Sequence, residues 1–145
     1  MHATLTKFGY PSTLVREFEH WCVLLRPQQV TLGALVLAAK SEVTQFSGLP
    51  VGAFTELALV TAACETALRS FAAYDKINYL MLMMVDPQVH FHVIPRYQTA
   101  PSFTRLLFAD PGWPGMPDLK FATDVADTVR SQLQYDLQKA FATAC

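Results

Sequence analysis

Two histidines stand one residue apart in "DPQVHFHVIPRY", residues 86 to 97, and Gln88 stands two positions before them. In an extended strand, side chains alternate between the two faces. Gln88, His90, His92 and Ile94 then share one face, each ~7 Å from the next, while Val89, Phe91 and Val93 take the other. A neutral imidazole is a good nucleophile toward phosphorus. It needs its second ring nitrogen held by an acceptor, so that the attacking nitrogen keeps its lone pair. It also needs donors for the phosphoryl oxygens as charge builds up. A glutamine amide both donates and accepts, but it has no titration near neutral pH.

Other readings of the same row stand beside this one. A strand histidine is often just a half-buried polar side chain. His-x-His can also present two imidazoles to a metal ion, but a third ligand is then required. Asp86 lies in the turn and His20 comes from another strand, so we expect no metal. Arg96, at the end of the row, has the fork geometry to clamp a phosphate, or to sit solvated at a strand end. Arg105 is a second candidate clamp or a surface loop charge. Trp113 can cover a base or a partner surface, or anchor its loop on the core. Asn78 and the Met81, Met83 and Met84 cluster read as structural.

The row needs a scaffold. "HWCVLLRP" (20–27) and "TLGALVLAAK" (31–40) read as an antiparallel strand pair joined by a short connection. Residues 51–74 carry helical spacing, with Phe54, Leu57, Ala58, Cys64, Leu68 and Phe71 on one face and Pro50 at the first turn. Glu65 and Arg69 are placed to pair on the wetter side. "KINYLMLMMV" (76–85) predicts a long apolar strand, turned by Asp86-Pro87 into the histidine strand 88–97. Residues 1–19 read as an irregular arm with a helical turn near 11–19. The segment 98–117 reads as a loop with two tight turns. A last helix is expected from about 118 or 123 to 142, with Val125, Val129, Leu133 and Leu137 inward. Strands and helices in this order predict an α+β fold.

"QVHFHVIPRY" resembles the signature of the histidine triad superfamily, His-x-His-x-His followed by two apolar residues and often Pro-Arg. The order of elements over roughly 20–97 is similar too. The resemblance implies one domain over 1–145, with an antiparallel, half-barrel-like sheet, a long central helix and a C-terminal helix. It implies a nucleotide ligand, with hydrolysis or nucleotidyl transfer through a nucleotidyl-histidine. The alternative it leaves open is a non-catalytic nucleotide-binding or interaction protein of the same fold. By position His90 is the nucleophile, His92 the third motif member, and Gln88 stands in the first member's place. Arg26 falls where the family places a ribose-binding Asn or Asp, so it joins His92, Gln88 and Arg96 as a candidate substrate contact. Met83-Met84, Ala34 and the Asp86-Pro87 turn stand where relatives often carry polar phosphate contacts. The family's usual assembly implies a homodimer. No cofactor is implied.

Bulk composition sets the outer limits. With 145 residues, 52% of them hydrophobic, the chain is long enough to bury a core without disulfide or metal staples. Its formal net charge of -1 argues against a long nucleic acid partner. Three cysteines far apart in sequence and an N-terminus unlike a signal peptide point to a reducing cytoplasm. The longest apolar run, 79–85, is too short to span a bilayer, so no membrane is expected.

Overall fold

The computed structural model describes all residues, 1–145. Its centre is a five-stranded antiparallel sheet in the order β1-β2-β3-β5-β4, formed by β1 (Leu14–Glu17), β2 (Trp21–Leu25), β3 (Leu35–Ala39), β4 (Lys76–Leu80) and β5 (His90–Arg96). β2 and β3 lie inside the sheet and are buried along their whole length. This is why "WCVLL" and "LVLAA" run apolar without alternation: both of their faces are covered.

The two faces differ in what covers them. Trp21, Val23 and Leu25, with Leu35, Leu37, Ala39, Phe91 and Val93, join the main core with the helices α2 (Val51–Phe71) and α3 (Asp127–Ala144). Cys22, Leu24, Val36 and Ala38 point the other way, under Leu5 and Phe8 of the short α1 (Ala3–Lys7) and its C-terminal end. His90 and His92 are on this second face, opposite Ala38 and Val36. The sheet therefore separates the histidines from the long helix, and the N-terminal segment roofs them.

The α+β expectation holds, with changes at its edges. The arm 1–19 is ordered into α1 and a fifth strand, β1, which pairs with β2. β4 stops at Leu80, which pairs with His92, so 81–89 forms a loop where a tight hairpin was expected. Leu82, Met84 and Val85 are exposed there, and Met83 has φ 47°. α2 ends at Phe71, where the chain turns to bury Tyr74 and enter β4. Its inward residues are Ala53, Val60, Ala63, Cys64, Ala67 and Leu68, whereas Phe54 and Ala58 are exposed. A helix apolar on nearly every side does not reveal from its sequence which side is covered. Glu65 and Arg69 do not meet: Glu65 accepts from the Tyr79 hydroxyl and Arg69 donates to that of Tyr74. The loop 98–117 contains a small hairpin, β6 (Ser102–Phe103) and β7 (Leu106–Leu107). Val125 is buried just ahead of α3, which buries Leu133, Leu137 and Phe141.

α2 is long and apolar enough, by length and composition, to cross a bilayer, but it packs as a core helix against the sheet and α3. At the β2–β3 connection, Gly33 has φ +88°, and a Cβ there would meet Leu68 at 3.1 Å. Such a backbone suits glycine. The buried Gln29 side chain knits the same turn, accepting from Gly33 N–H and donating to the carbonyls of Arg26 and Ala34.

Candidate active site

His90 and His92 present their rings edge-on, with centroids 5.2 Å apart and planes at 82°. Phe8, at the end of α1, sits against both, 5.5 Å from His90 and 5.7 Å from His92. His90 is 2% exposed, and its Nδ1 lies 2.8 Å from the backbone carbonyl oxygen of Gln88. A carbonyl can only accept, so the assigned proton is on Nδ1. Nε2 then carries the lone pair, which is the tautomer a nucleophile requires. This tautomer is built from backbone: the chain leaves the loop at Gln88 and enters β5 at His90, so the carbonyl two residues back reaches the ring.

His92 is 8% exposed, and its Nδ1 is buried without a hydrogen-bond partner. Burial, then the positive charge of Arg26 and the neighbouring His90 ring, pull its pKa from 6.5 to about 4, and Asp86 opposes them. His92 is therefore neutral at physiological pH, available to ligand through hydrogen bonding rather than charge.

Two cavities meet at His92. The smaller, about 200 Å³, is lined by His90, His92 and the loop residues Leu82 to Asp86. The larger, about 390 Å³, is lined by His92, Arg26, Pro27, Gln28, Lys7, Phe8, Leu82, Asp86 and Leu119. The second lies at the lower end of the range typical of small-molecule sites, ~300–1,000 Å³. A cavity of about 710 Å³, larger than either, lies along β4 beneath Trp113 and Met116 and contains no histidine. Size alone would select that groove, but it holds no imidazole, so the cavities at the histidines are the candidate site.

A family profile described as HIT domain matches residues 7–99, which is more than half of the chain. The chain belongs to the HIT-domain family. Solved structures agree on the fold of this HIT domain. A histidine triad protein from Marinobacter aquaeolei VT8 superposes with a TM-score of 0.76 at 21% identity, covering 100% of this chain and 97% of that one. One from Sinorhizobium meliloti 1021 gives 0.70 at 18% identity, covering 96% and 94%. A hypothetical histidine triad nucleotide-binding protein from Sulfolobus tokodaii strain7 gives 0.68 at 17% identity, covering 90% and 84%. A search of curated proteins finds no significant match.

Within the HIT domain the other candidate residues separate. Arg26 lines the larger cavity beside His92. One guanidinium nitrogen donates to the Gln28 carbonyl at 2.7 Å, and its Nε is buried without a partner. Burial lowers its pKa, although arginine remains charged.

Gln88 is not in the row. β5 begins after it, and its side-chain oxygen accepts from the Thr4 hydroxyl at 2.6 Å and the Thr4 N–H at 3.3 Å. The side-chain carbonyl of this candidate substrate contact is thus committed to α1, and the backbone carbonyl of the same residue holds His90.

Arg96 does not face the histidines either. It is buried at the far end of β5, with Nε and Nη2 on Asp110 at 2.8 and 3.1 Å and Nη1 on Asn78 at 2.7 Å. Its fork is filled by protein oxygens, so the phosphate clamp expected there is a structural ion pair. Arg105 is exposed at the turn of the β6–β7 hairpin, with φ 70°. No group of three or more His, Cys, Asp or Glu side chains is placed to hold a metal ion.

The sequence reading missed Thr4, Lys7 and Phe8. The signal was present in "HATLTKF": His2 caps α1, its Nδ1 accepting from Leu5 N–H, while its Nε2 lies 2.7 Å from the Ala39 carbonyl. The arm is thereby pinned to the sheet. Lys7 pairs with Asp86 at 3.1 Å, across the mouth of the site.

Proposed function

We propose that this HIT domain binds a nucleoside phosphate derivative, such as a dinucleoside polyphosphate, and transfers its nucleotidyl group through His90. The Nδ1–H bond to the Gln88 carbonyl carries this reading, because it fixes Nε2 as the free, basic nitrogen. Nε2 attacks the α-phosphorus. The new N–P bond forms as the P–O or P–N bond to the leaving group breaks, and that group leaves with the bonding pair. Water then attacks phosphorus, breaks the N–P bond and passes a proton to solvent, restoring neutral His90. Neutral His92 makes hydrogen bonds to the phosphoryl group. We place neither Arg96 nor the Gln88 carbonyl in substrate contact.

The name of the Sulfolobus tokodaii relative supports a nucleotide as the ligand class. A second reading, a non-catalytic nucleotide-binding protein, is favoured by the apolar lining that Leu82, Met83, Met84 and Val85 give the cavity at His90, which adds no side-chain donors there. Intact mass spectrometry separates the two. The protein is mixed with dinucleoside polyphosphates and nucleoside phosphoramidates and quenched without acid. A mass gain of one nucleotidyl group, absent in His90→Ala, supports transfer. Binding without any adduct or turnover supports the second reading.

We also propose a homodimer working in the cytoplasm without cofactor, membrane or long nucleic acid. The exposed apolar residues Val51 and Leu59 on α2 and Met84 and Val85 in the 81–89 loop support the dimer.

A further inference from the structure

The larger cavity contains a cation without an anion. Lys7 and Asp86 neutralise one another at 3.1 Å, and His92 is neutral. Arg26 is left as the uncompensated charge among the lining residues, half-buried, with one guanidinium nitrogen on a neutral carbonyl and its Nε buried without a partner. Guanidinium groups desolvated in this way are normally matched by carboxylate or phosphate. The position is also fixed. Arg26 N–H donates to the Ala34 carbonyl at 3.1 Å and the Gln29 side chain ties off the Arg26 carbonyl, which fixes the backbone, while the Nη1 bond to Gln28 restrains the side chain.

The register gives the distance. Leu24, Val36 and His92 form one row across β2, β3 and β5. Arg26 is two residues beyond Leu24 on the same face. It is therefore about 7 Å along and about 10 Å across from His92, a backbone span of roughly 12 Å that the two side chains shorten from both ends. Arg26 and His90 line different cavities, and the Nη1 bond to the Gln28 carbonyl holds the Arg26 head in the larger one. His92, whose buried Nδ1 has no partner, stands where the two cavities join.

We propose that Arg26 forms a second phosphate subsite, so that the preferred ligand carries a further phosphate beyond the one at the histidines. The inference rests on the nucleotide reading above. The extra phosphate is either carried on the sugar or is the next one in a polyphosphate chain; both present anionic phosphoryl oxygens to the guanidinium.

The test is isothermal titration at fixed ionic strength, in adenine and guanine series, with three ligands: the nucleoside 5′-monophosphate, the 5′-diphosphate and the 3′,5′-bisphosphate. Wild type should bind one of the two-phosphate ligands at least about tenfold more tightly than the monophosphate. Preference for the bisphosphate assigns the group to the sugar; preference for the diphosphate assigns it to the chain. Arg26→Gln should reduce the preference to within about threefold while leaving monophosphate affinity nearly unchanged, and Arg26→Lys should restore part of it. Equal wild-type affinity for all three ligands overturns the subsite and leaves the nucleotide reading intact. So does a loss in Arg26→Gln that is uniform across them, since Arg26 would then hold the same phosphate as the histidines. Failure of all three to bind overturns the nucleotide reading and the subsite with it.

Discussion

Thr4 and Gln88 hold one another from 84 positions apart: the Thr4 hydroxyl donates to the Gln88 side-chain oxygen at 2.6 Å, and the Gln88 N–H points back at that hydroxyl at 3.3 Å. The glutamine in the first motif position is therefore a clasp for α1. The same glutamine supplies, from its backbone, the carbonyl that orients His90. From the motif alone, Gln88→His would restore a triad and raise the rate. The structure predicts the reverse. An imidazole at 88 loses the clasp, strands the Thr4 donor and loosens the roof that Phe8 makes over the histidines. Gln88→His and Thr4→Val should each lower unfolding free energy by about 1–2 kcal/mol in urea titrations. Neither should raise turnover. A faster, equally stable Gln88→His enzyme would show that the first position faces substrate.

His90 and His92 differ in what their Nδ1 atoms touch, and that difference orders their variants. With His90 as the proposed nucleophile, His90→Ala should cut turnover by at least about a thousandfold, with no covalent adduct. His92→Ala removes a neutral hydrogen-bonding ring and should leave measurable turnover and an adduct. Single-turnover rates and intact masses check both. Equal loss in the two variants would mean that the rings act as one unit.

The central strands, the long helix and the inward row of α3 were legible because burial dictates their residue types. Trp21 to Leu25 and Leu133 with Leu137 read correctly for that reason. The paired histidines were legible because two polar rings recur with the strand period. Gln88 misled because the same period was extended one step past the end of β5. Arg96 misled because its partner Asp110 lies 14 residues away in an irregular loop, and sequence spacing does not reveal loop closure. The roof formed by Thr4, Lys7 and Phe8 was missed because a five-residue helix has too few turns to show periodicity.

The His92 pKa makes a pH prediction. It falls to about 4 in the folded protein from an ordinary value of 6.5. Between these values the unfolded chain binds a proton that the folded protein does not. The contribution of neutral His92 is thus present above about pH 6.5 and is lost as pH falls toward 4, at up to about 3 kcal/mol. Wild type should lose stability steeply over that window, and His92→Asn should lose less of it. Parallel wild-type and variant curves from pH 7 to 4 would show that His92 titrates normally.

Assembly gives a measurement independent of chemistry. Val51 and Leu59 on α2, and Leu82, Met84 and Val85 beyond β4, are large apolar side chains left in water. Association of two copies would cover such surface, and a two-fold arrangement is the commonest way to do so. Light scattering at micromolar concentration should return twice the 16.1 kDa chain mass. Leu59→Lys or Met84→Lys should shift the population to monomer if its residue lies in the interface. A monomeric wild type would exclude the dimer.

Arg96 and Asp110 give the sharpest contrast between a motif reading and a structural one. Their side chains are 4% and 1% exposed, joined by two hydrogen bonds, and Asp110 also accepts from Tyr97 N–H at 3.1 Å. Removing one partner leaves the other charge buried, which costs about 3–5 kcal/mol. Arg96→Ala and Asp110→Ala should therefore both destabilise strongly in urea. The double variant should lose less than the sum of the two, because neither leaves a lone charge once both are gone. Nucleotide affinity in any folded fraction should change little, since this pair is at the end of β5 away from His90. If Arg96 were a phosphate clamp held in reserve by Asp110, Asp110→Ala would instead free it and tighten nucleotide binding. Titrating Asp110→Ala below its unfolding midpoint distinguishes the two: unchanged affinity with lowered stability assigns the pair to the fold, and a gain in affinity returns Arg96 to the site.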